Sequence, residues 1–414
     1  MLATRASTAK RLTRSFATVA DSASGIKVAA IDNGQPTAAV TFLVKAGSRY
    51  EPAPGVSHAL KSFAFKSTAK RSTLGTVRES DLYGGVLFAS MSREYLAFTS
   101  EFLRGDESFF TSVLTSILTS SKFLPHEYTE YVLPVVRDEA TAASQSPSTV
   151  AVEAAHALAF RTGLGASLFA GPHIPVTLES VKSFAKDAFT SGNVAVVGTG
   201  IDSARLAQLV DKALADATLP TSSPITAAPS KYFGGSTRID SPEGPQTVFI
   251  GFGTTTPSPV LSVLNAHVPP SRSLKWPAAP RQFATVTSVH LPYSDAVLTG
   301  VLVQGADANS VTEAAKTVVA KLKKPLSADE LKTAVARAKF VAAAAVESRQ
   351  GLVEAIGSKI FSNANTSIES TLAALDKVDT AAVSKAVSEL TAATPTFVVV
   401  GDVKTLPYAD EIGL

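Results

Sequence analysis

Apolar positions along this chain follow two rhythms. Ala38–Val44 and Arg93–Phe102 are dense in apolar, β-branched and aromatic residues and predict strands. After Asp106 the spacing changes. Phe109, Val113, Leu114, Ile117 and Leu118 recur three or four positions apart, the stripe of a core-facing helix that Asp106 can cap. Pro134 interrupts the next helical stretch and predicts a kink or split, because its ring removes a donor and crowds the preceding turn. Asn193–Gly198 and Pro395–Gly401 are short apolar runs closed by glycine, as buried strands are. Each follows a helix-like segment, Val176–Phe189 and Lys377–Leu390.

These likenesses form a repeat. Matching Val197 to Val400 sets an offset of 203 (400 − 197), and at that offset Glu127 meets Glu330, each after a proline and opening a long helical stretch. Upstream, Asn33-Gly34-Gln35-Pro36 before Ala38–Val44 resembles Glu243-Gly244-Pro245-Gln246 before Thr247–Phe252, at an offset of 210 (243 − 33). Residues 217–230 are rich in Pro, Ser, Thr and Ala, the composition of a linker. The pattern predicts two homologous α+β domains, 21–216 and 231–414, each a mixed α/β sandwich, related by pseudo-two-fold symmetry. Gly163-Leu164-Gly165 comes nearest to a nucleotide-binding glycine pattern, but it lacks the strand–helix context and is not read as such a site.

Composition narrows the chemistry. The 414 residues contain no cysteine, which excludes disulfides, thiolate metal sites, iron–sulfur clusters and a cysteine nucleophile. Six scattered histidines and two methionines offer no evident haem ligand set. Lys+Arg of 38 against Asp+Glu of 35 leaves +3, and four of the basic residues lie in the first 14 positions, so no basic face for nucleic acid is predicted. No apolar run reaches the ~18–20 residues of a membrane span. Residues 1–20 hold Arg5, Lys10, Arg11 and Arg14, no acid, and many Ser, Thr and Ala. Leu2, Ala6, Ala9, Leu12, Phe16 and Val19 share one side of a helical wheel, while Lys10, Arg11 and Arg14 lie opposite. This is the pattern of a mitochondrial transit peptide, with cleavage expected after Phe16.

The most informative stretch is Gly55-Val56-Ser57-His58-Ala59-Leu60-Lys61-Ser62. It resembles the signature of the inverted-motif zinc peptidases, the pitrilysin and mitochondrial processing peptidase family, whose working form is H-x-x-E-H on a helix. The first His corresponds to His58. The general-base Glu corresponds to Lys61, the second His to Ser62, and the distal Glu ligand to Glu139. One imidazole and one carboxylate hold a catalytic zinc poorly, and an ammonium opposes it. Lys45–Glu51, Tyr83-Gly84-Gly85 and Ser92-Arg93-Glu94 resemble other family segments; where active relatives carry an Asn-Ala pair for holding substrate as an added strand, this chain has Phe88 and Ala89.

The resemblance implies a fold of the processing-peptidase type without catalysis. No catalytic, cofactor-binding or metal-ligating residue is assigned, and no cofactor is expected. Among mitochondrial members, the broken motif excludes the catalytic branch, and no long Gly-rich loop for presequence recognition is present, the Gly residues between 251 and 305 being scattered. The remaining likeness is to the non-catalytic core subunits of respiratory complex III. That implies a peripheral place on the matrix side of the inner membrane, with core protein 1, cytochrome b, cytochrome c1 and the iron–sulfur protein as partners. The alternative is an α-type presequence-binding subunit of the processing peptidase.

Overall fold

A computed structural model describes residues 18–32, 34–171, 176–215, 219–268, 284–324, 326–361 and 367–414. Residues 1–17 of the expected address segment 1–20, Asn33, and residues 217 and 218 of the expected linker fall outside them. The first half runs β1 (Thr18–Asp21), β2 (Lys27–Ile31), β3 (Thr37–Val44), α1 (Val56–Ser62), α2 (Thr73–Leu82), β4 (Val86–Met91), β5 (Leu96–Leu103), α3 (Glu107–Ser120), α4 (Pro125–Glu127), α5 (Leu133–Ser144), α6 (Pro147–Phe160), α7 (Leu178–Ala188), β6 (Val194–Thr199) and α8 (Ser203–Ala215). The second runs β7 (Gly235–Asp240), β8 (Gln246–Thr254), α9 (Pro259–His267), β9 (Thr285–Pro292), β10 (Val297–Gly305), α10 (Ala308–Lys323), α11 (Ala328–Ala345), α12 (Arg349–Ile360), α13 (Ile368–Asp376), α14 (Thr380–Ala392) and β11 (Thr396–Gly401).

Two mixed sheets result, ordered β1-β2-β6-β3-β5-β4 and β7-β11-β8-β10-β9. Apart from the extra β1 they share one topology. β2 lies parallel to β6 and β7 parallel to β11, and every other pairing is antiparallel. The matched runs of the repeat, Val194–Val197 and Val398–Val400, occupy the same place in their sheets, in β6 and β11.

These strands read as unbroken apolar runs because both faces are covered. In β3, Val40, Phe42 and Val44 face a core built with α1, α3, α7 and α8, while Leu43 faces a second core on the other side. In β11, Phe397 and Val399 face α9, α10 and α14, while Val398 and Val400 face the opposite way. The helix covering that opposite face comes each time from the other half. α6 packs on the sheet of the second half, and α12 on the sheet of the first.

Several local expectations change. The strand expected from Arg93 begins at Leu96, because Ser92–Tyr95 make the hairpin turn, with Ser92 N–H donating to the Tyr95 carbonyl at 2.8 Å. Asp106 sits at the N-cap of α3 but caps nothing with its side chain; its backbone (φ −99, ψ 15) is not the extended form that capping needs. Phe110, fully buried, takes the core place expected for Phe109, which is partly buried and stacks on Tyr83 at 4.3 Å. Around Pro134 the helix widens: Tyr128–Val132 is a π turn, with Leu133 N–H donating to the Tyr128 carbonyl, and α5 follows without a break. Thr18–Asp21, partly inside the expected address, pairs with Lys27–Ala30 as β1.

Candidate functional site

α1 is short and aimed by its N-terminus. Gly55 precedes it with φ 88, a left-handed conformation that glycine adopts freely, and a Cβ there would lie 2.6 Å from that of Ala170. The Glu51 carboxylate accepts the Ser57 N–H at 3.0 Å, and burial pushes this carboxyl up to about 7. Val56, Ala59 and Leu60 face the core, which leaves His58 and Lys61 to face α5.

There the structure brings together the pair the motif predicts. His58, fully buried, places Nε2 2.6 Å from Glu139 Oε2. Ala170 N–H donates to His58 Nδ1 at 3.2 Å, which makes Nδ1 the acceptor and leaves the ring proton on Nε2, donating to the carboxylate. The Lys61 ammonium donates to the same Oε2. Glu139 therefore sits at about 2; the His58 hydrogen bond is the largest cause, the Lys61 ammonium also lowers it, and partial burial opposes both. Ser62 turns away from this group and donates to the His58 carbonyl at 3.1 Å.

This geometry does not fit a metal. A metal-bound Nε2 needs a bare lone pair, hence a proton on Nδ1, and the backbone N–H of Ala170 faces Nδ1. Lys61 already supplies a cation at the carboxylate. Among the described residues no group of three or more His, Cys, Asp or Glu is placed to hold a metal.

Phe88 and Ala89 lie on β4, whose outer edge has no partner strand among the described residues. Phe88 lines a cavity of about 2140 Å³ between the halves, with Ser90, Glu94, His290, Arg349 and Leu375 among the other walls. His58, Lys61 and Glu139 are not part of that lining.

The role of two family-like segments, Lys45–Glu51 and Ser92-Arg93-Glu94, was not legible in the chain. Arg49 donates to Glu94 at 2.8 Å and, as a fork, to Asp295 at 2.7 and 2.6 Å. Ser294 donates to Glu94 through N–H (3.0 Å) and Oγ (2.5 Å), and Ser230 N–H donates to Asp295 at 2.9 Å. Arg93 pairs with Glu153 at 2.6 Å, and His156 meets the Tyr293 hydroxyl at 2.8 Å. A Cβ on Gly47 would lie 2.3 Å from the Arg93 carbonyl oxygen, so the two segments touch backbone to backbone. Glu94 and Arg49 find partners 200 and 246 positions away and Arg93 one 60 positions away, and no local signal marks them.

Comparison with known proteins gives a consistent picture. Residues 27–172 match the family profile described as Insulinase (Peptidase family M16), and residues 175–338 match Peptidase M16 inactive domain. The chain is 40% identical to the mitochondrial cytochrome b-c1 complex subunit 2 of Cryptococcus neoformans var. grubii over 427 aligned residues, covering 99% of this chain and 97% of the relative. It is 35% identical to the protein of that name from Yarrowia lipolytica, covering 94% and 95%. It is 26% identical to the one from Homo sapiens, covering 94% and 90%.

Proposed function

The chain belongs to the M16 peptidase family, and from its full-length likeness to the cytochrome b-c1 complex subunit 2 proteins we propose that it is a non-catalytic core subunit of respiratory complex III, the ubiquinol–cytochrome c reductase. The observation that carries the non-catalytic part is the carboxylate of Glu139, already held by one imidazole and one ammonium where active relatives hold zinc. In this reading the protein supports the assembly and stability of the complex. It lies peripherally on the matrix side of the inner membrane, paired with core protein 1 and docked to cytochrome b, cytochrome c1 and the iron–sulfur protein. No helix among the described residues is long and apolar enough to cross a membrane, which supports attachment through protein partners. The matrix address rests on residues 1–20, and cleavage after Phe16 leaves β1 whole. The division of the chain at 217–230 and the assignment of no catalytic or metal-ligating residue belong to the same proposal.

The test is purification of the tagged chain from mitochondria in mild detergent. We expect b- and c-type haem absorbance in the same peak. The isolated chain should carry no stoichiometric zinc and cleave no presequence peptide. Recovery in a haem-free peak with soluble processing activity would instead identify an α-type presequence-binding subunit. One tightly held zinc per chain, with chelator-sensitive cleavage in the absence of any partner, would return the protein to the enzymes.

A further inference from the structure

We propose that the two halves of this chain form a clasped pair that, once folded, holds together without the peptide linking them. The clasp is the exchange of α6 and α12. Ala151, Ala155 and Phe160 of α6 share a core with Phe249, Leu298 and Val398 of the other half's sheet. Leu352, Val353 and Ile356 of α12 share one with Leu43, Ala195 and Val197. Both ends of α12 are tied to the sheet it covers: Arg349 pairs with Glu101 at 2.7 Å and donates to Thr37, and Lys27 donates to the Ile360 carbonyl at 3.2 Å. Between them the helix comes close enough that a Cβ on Gly357 would lie 2.8 Å from the Tyr95 ring.

Removing either half uncovers an apolar sheet face on the other, so each half is the surface the other one fits. Polar groups close the seam where the two hairpin turns meet. The Arg49 fork reaches Glu94 of its own half and Asp295 of the other, and Ser294 donates to Glu94 across the boundary.

The linker is fastened to both halves, and the Ala228 carbonyl, beyond its midpoint, accepts from Arg49 of the first half at 3.3 Å. Ser191 N–H donates to the Pro220 carbonyl at 3.0 Å and Ile225 N–H to Asn193 Oδ1 at 2.8 Å, both within reach of the first half. Ser230 is held by Asp295 of the second half. The linker's contribution is to raise the effective concentration of the halves while they find each other; Ala228 lies beyond Thr226, and its bond to Arg49 does not need the chain to be continuous there.

The experiment uses the full chain with a protease site inserted between Thr226 and Ala227, compared before and after complete cutting. We expect both fragments to elute together at the position of the uncut chain, and amide protection in β3, β6, β8 and β11 to stay unchanged. Separation of the fragments, their aggregation, or lost protection in either sheet overturns the proposal. A second reading comes from Ile356→Asp in the uncut chain. Although the substitution lies in the second half by sequence, we expect roughly hundredfold loss of protection in β3 and β6 of the first. Loss confined to the second half overturns it. The cut chain keeps the natural residue at every contact, so it decides the matter even where the Asp variant fails to fold.

Discussion

The same place in the fold is built in opposite ways in the two halves. Val56 and Pro259 open α1 and α9 and stand 203 residues apart (259 − 56), the offset that also relates Glu127 to Glu330. At that offset His58 corresponds to Leu261, Lys61 to Leu264 and Glu139 to Ala342. In the first half an imidazole and an ammonium converge on one carboxylate oxygen between α1 and α5. In the second, Leu261, Leu264, Ala334 and Ala338 fill the space between α9 and α11 with apolar packing. Both versions stand in one chain on one topology, so the fold does not require charge there. It requires that the space be filled and that a charge buried there meet its counter-charge.

The comparison is broken most directly by carrying one charge across it. Leu264→Lys puts an ammonium into the apolar version with no carboxylate to meet it. We expect a loss of about 3–5 kcal/mol, read as a lowered urea midpoint or an insoluble chain. Less severe is Glu139→Leu, which strips the shared acceptor from His58 and leaves Lys61 a short way from solvent; about 1–3 kcal/mol is expected. Importing the whole apolar set, His58→Leu with Lys61→Leu and Glu139→Ala, should recover most of that loss in the same urea series. A triple variant no more stable than Glu139→Leu alone would mean that the two versions are not interchangeable.

Acid sharpens the comparison. The folded value of Glu139, about 2, lies below its ordinary 4.5. Its contribution is therefore fully present above the ordinary carboxylate range and is lost as pH falls from about 4.5 toward 2. The group is 40% exposed on its side chain, so solvent screening holds the contribution to about 1 kcal/mol. Urea stability measured at pH 7 and near pH 3 should show a smaller decrease for Glu139→Gln than for the natural chain. Ser62→Ala should matter least. The hydroxyl bonds only to the carbonyl of its own helix, and a change within about 0.5 kcal/mol is expected from the same measurement.

Much of this was legible in the chain. Strands showed because burial on both faces makes an unbroken apolar run, and helices because burial on one face makes a stripe near 3.6; Phe42 and Val399 lie in such runs and Val113 on such a stripe. The departures are local competitions that periodicity does not resolve. Phe109 and Phe110 are adjacent, and the packing against Phe102, stacked on Phe110 at 4.6 Å, chooses between them. Arg93 and Glu94 look like the start of a strand until Glu153, within the same half, and Ser294, across the seam, draw them into a turn.

By itself the sequence determined the repeat, the element types and the broken zinc motif. Each is written in residue identities a few positions apart, or in two copies of one pattern. Only the tertiary structure decided that Glu139 is held by both His58 and Lys61, that Ala170 sets the tautomer of that imidazole, and that Arg49 finds Asp295. It alone decided that α6 and α12 change sides. Those outcomes depend on groups that the chain keeps far apart and that meet only when burying the second face of each sheet brings the halves together.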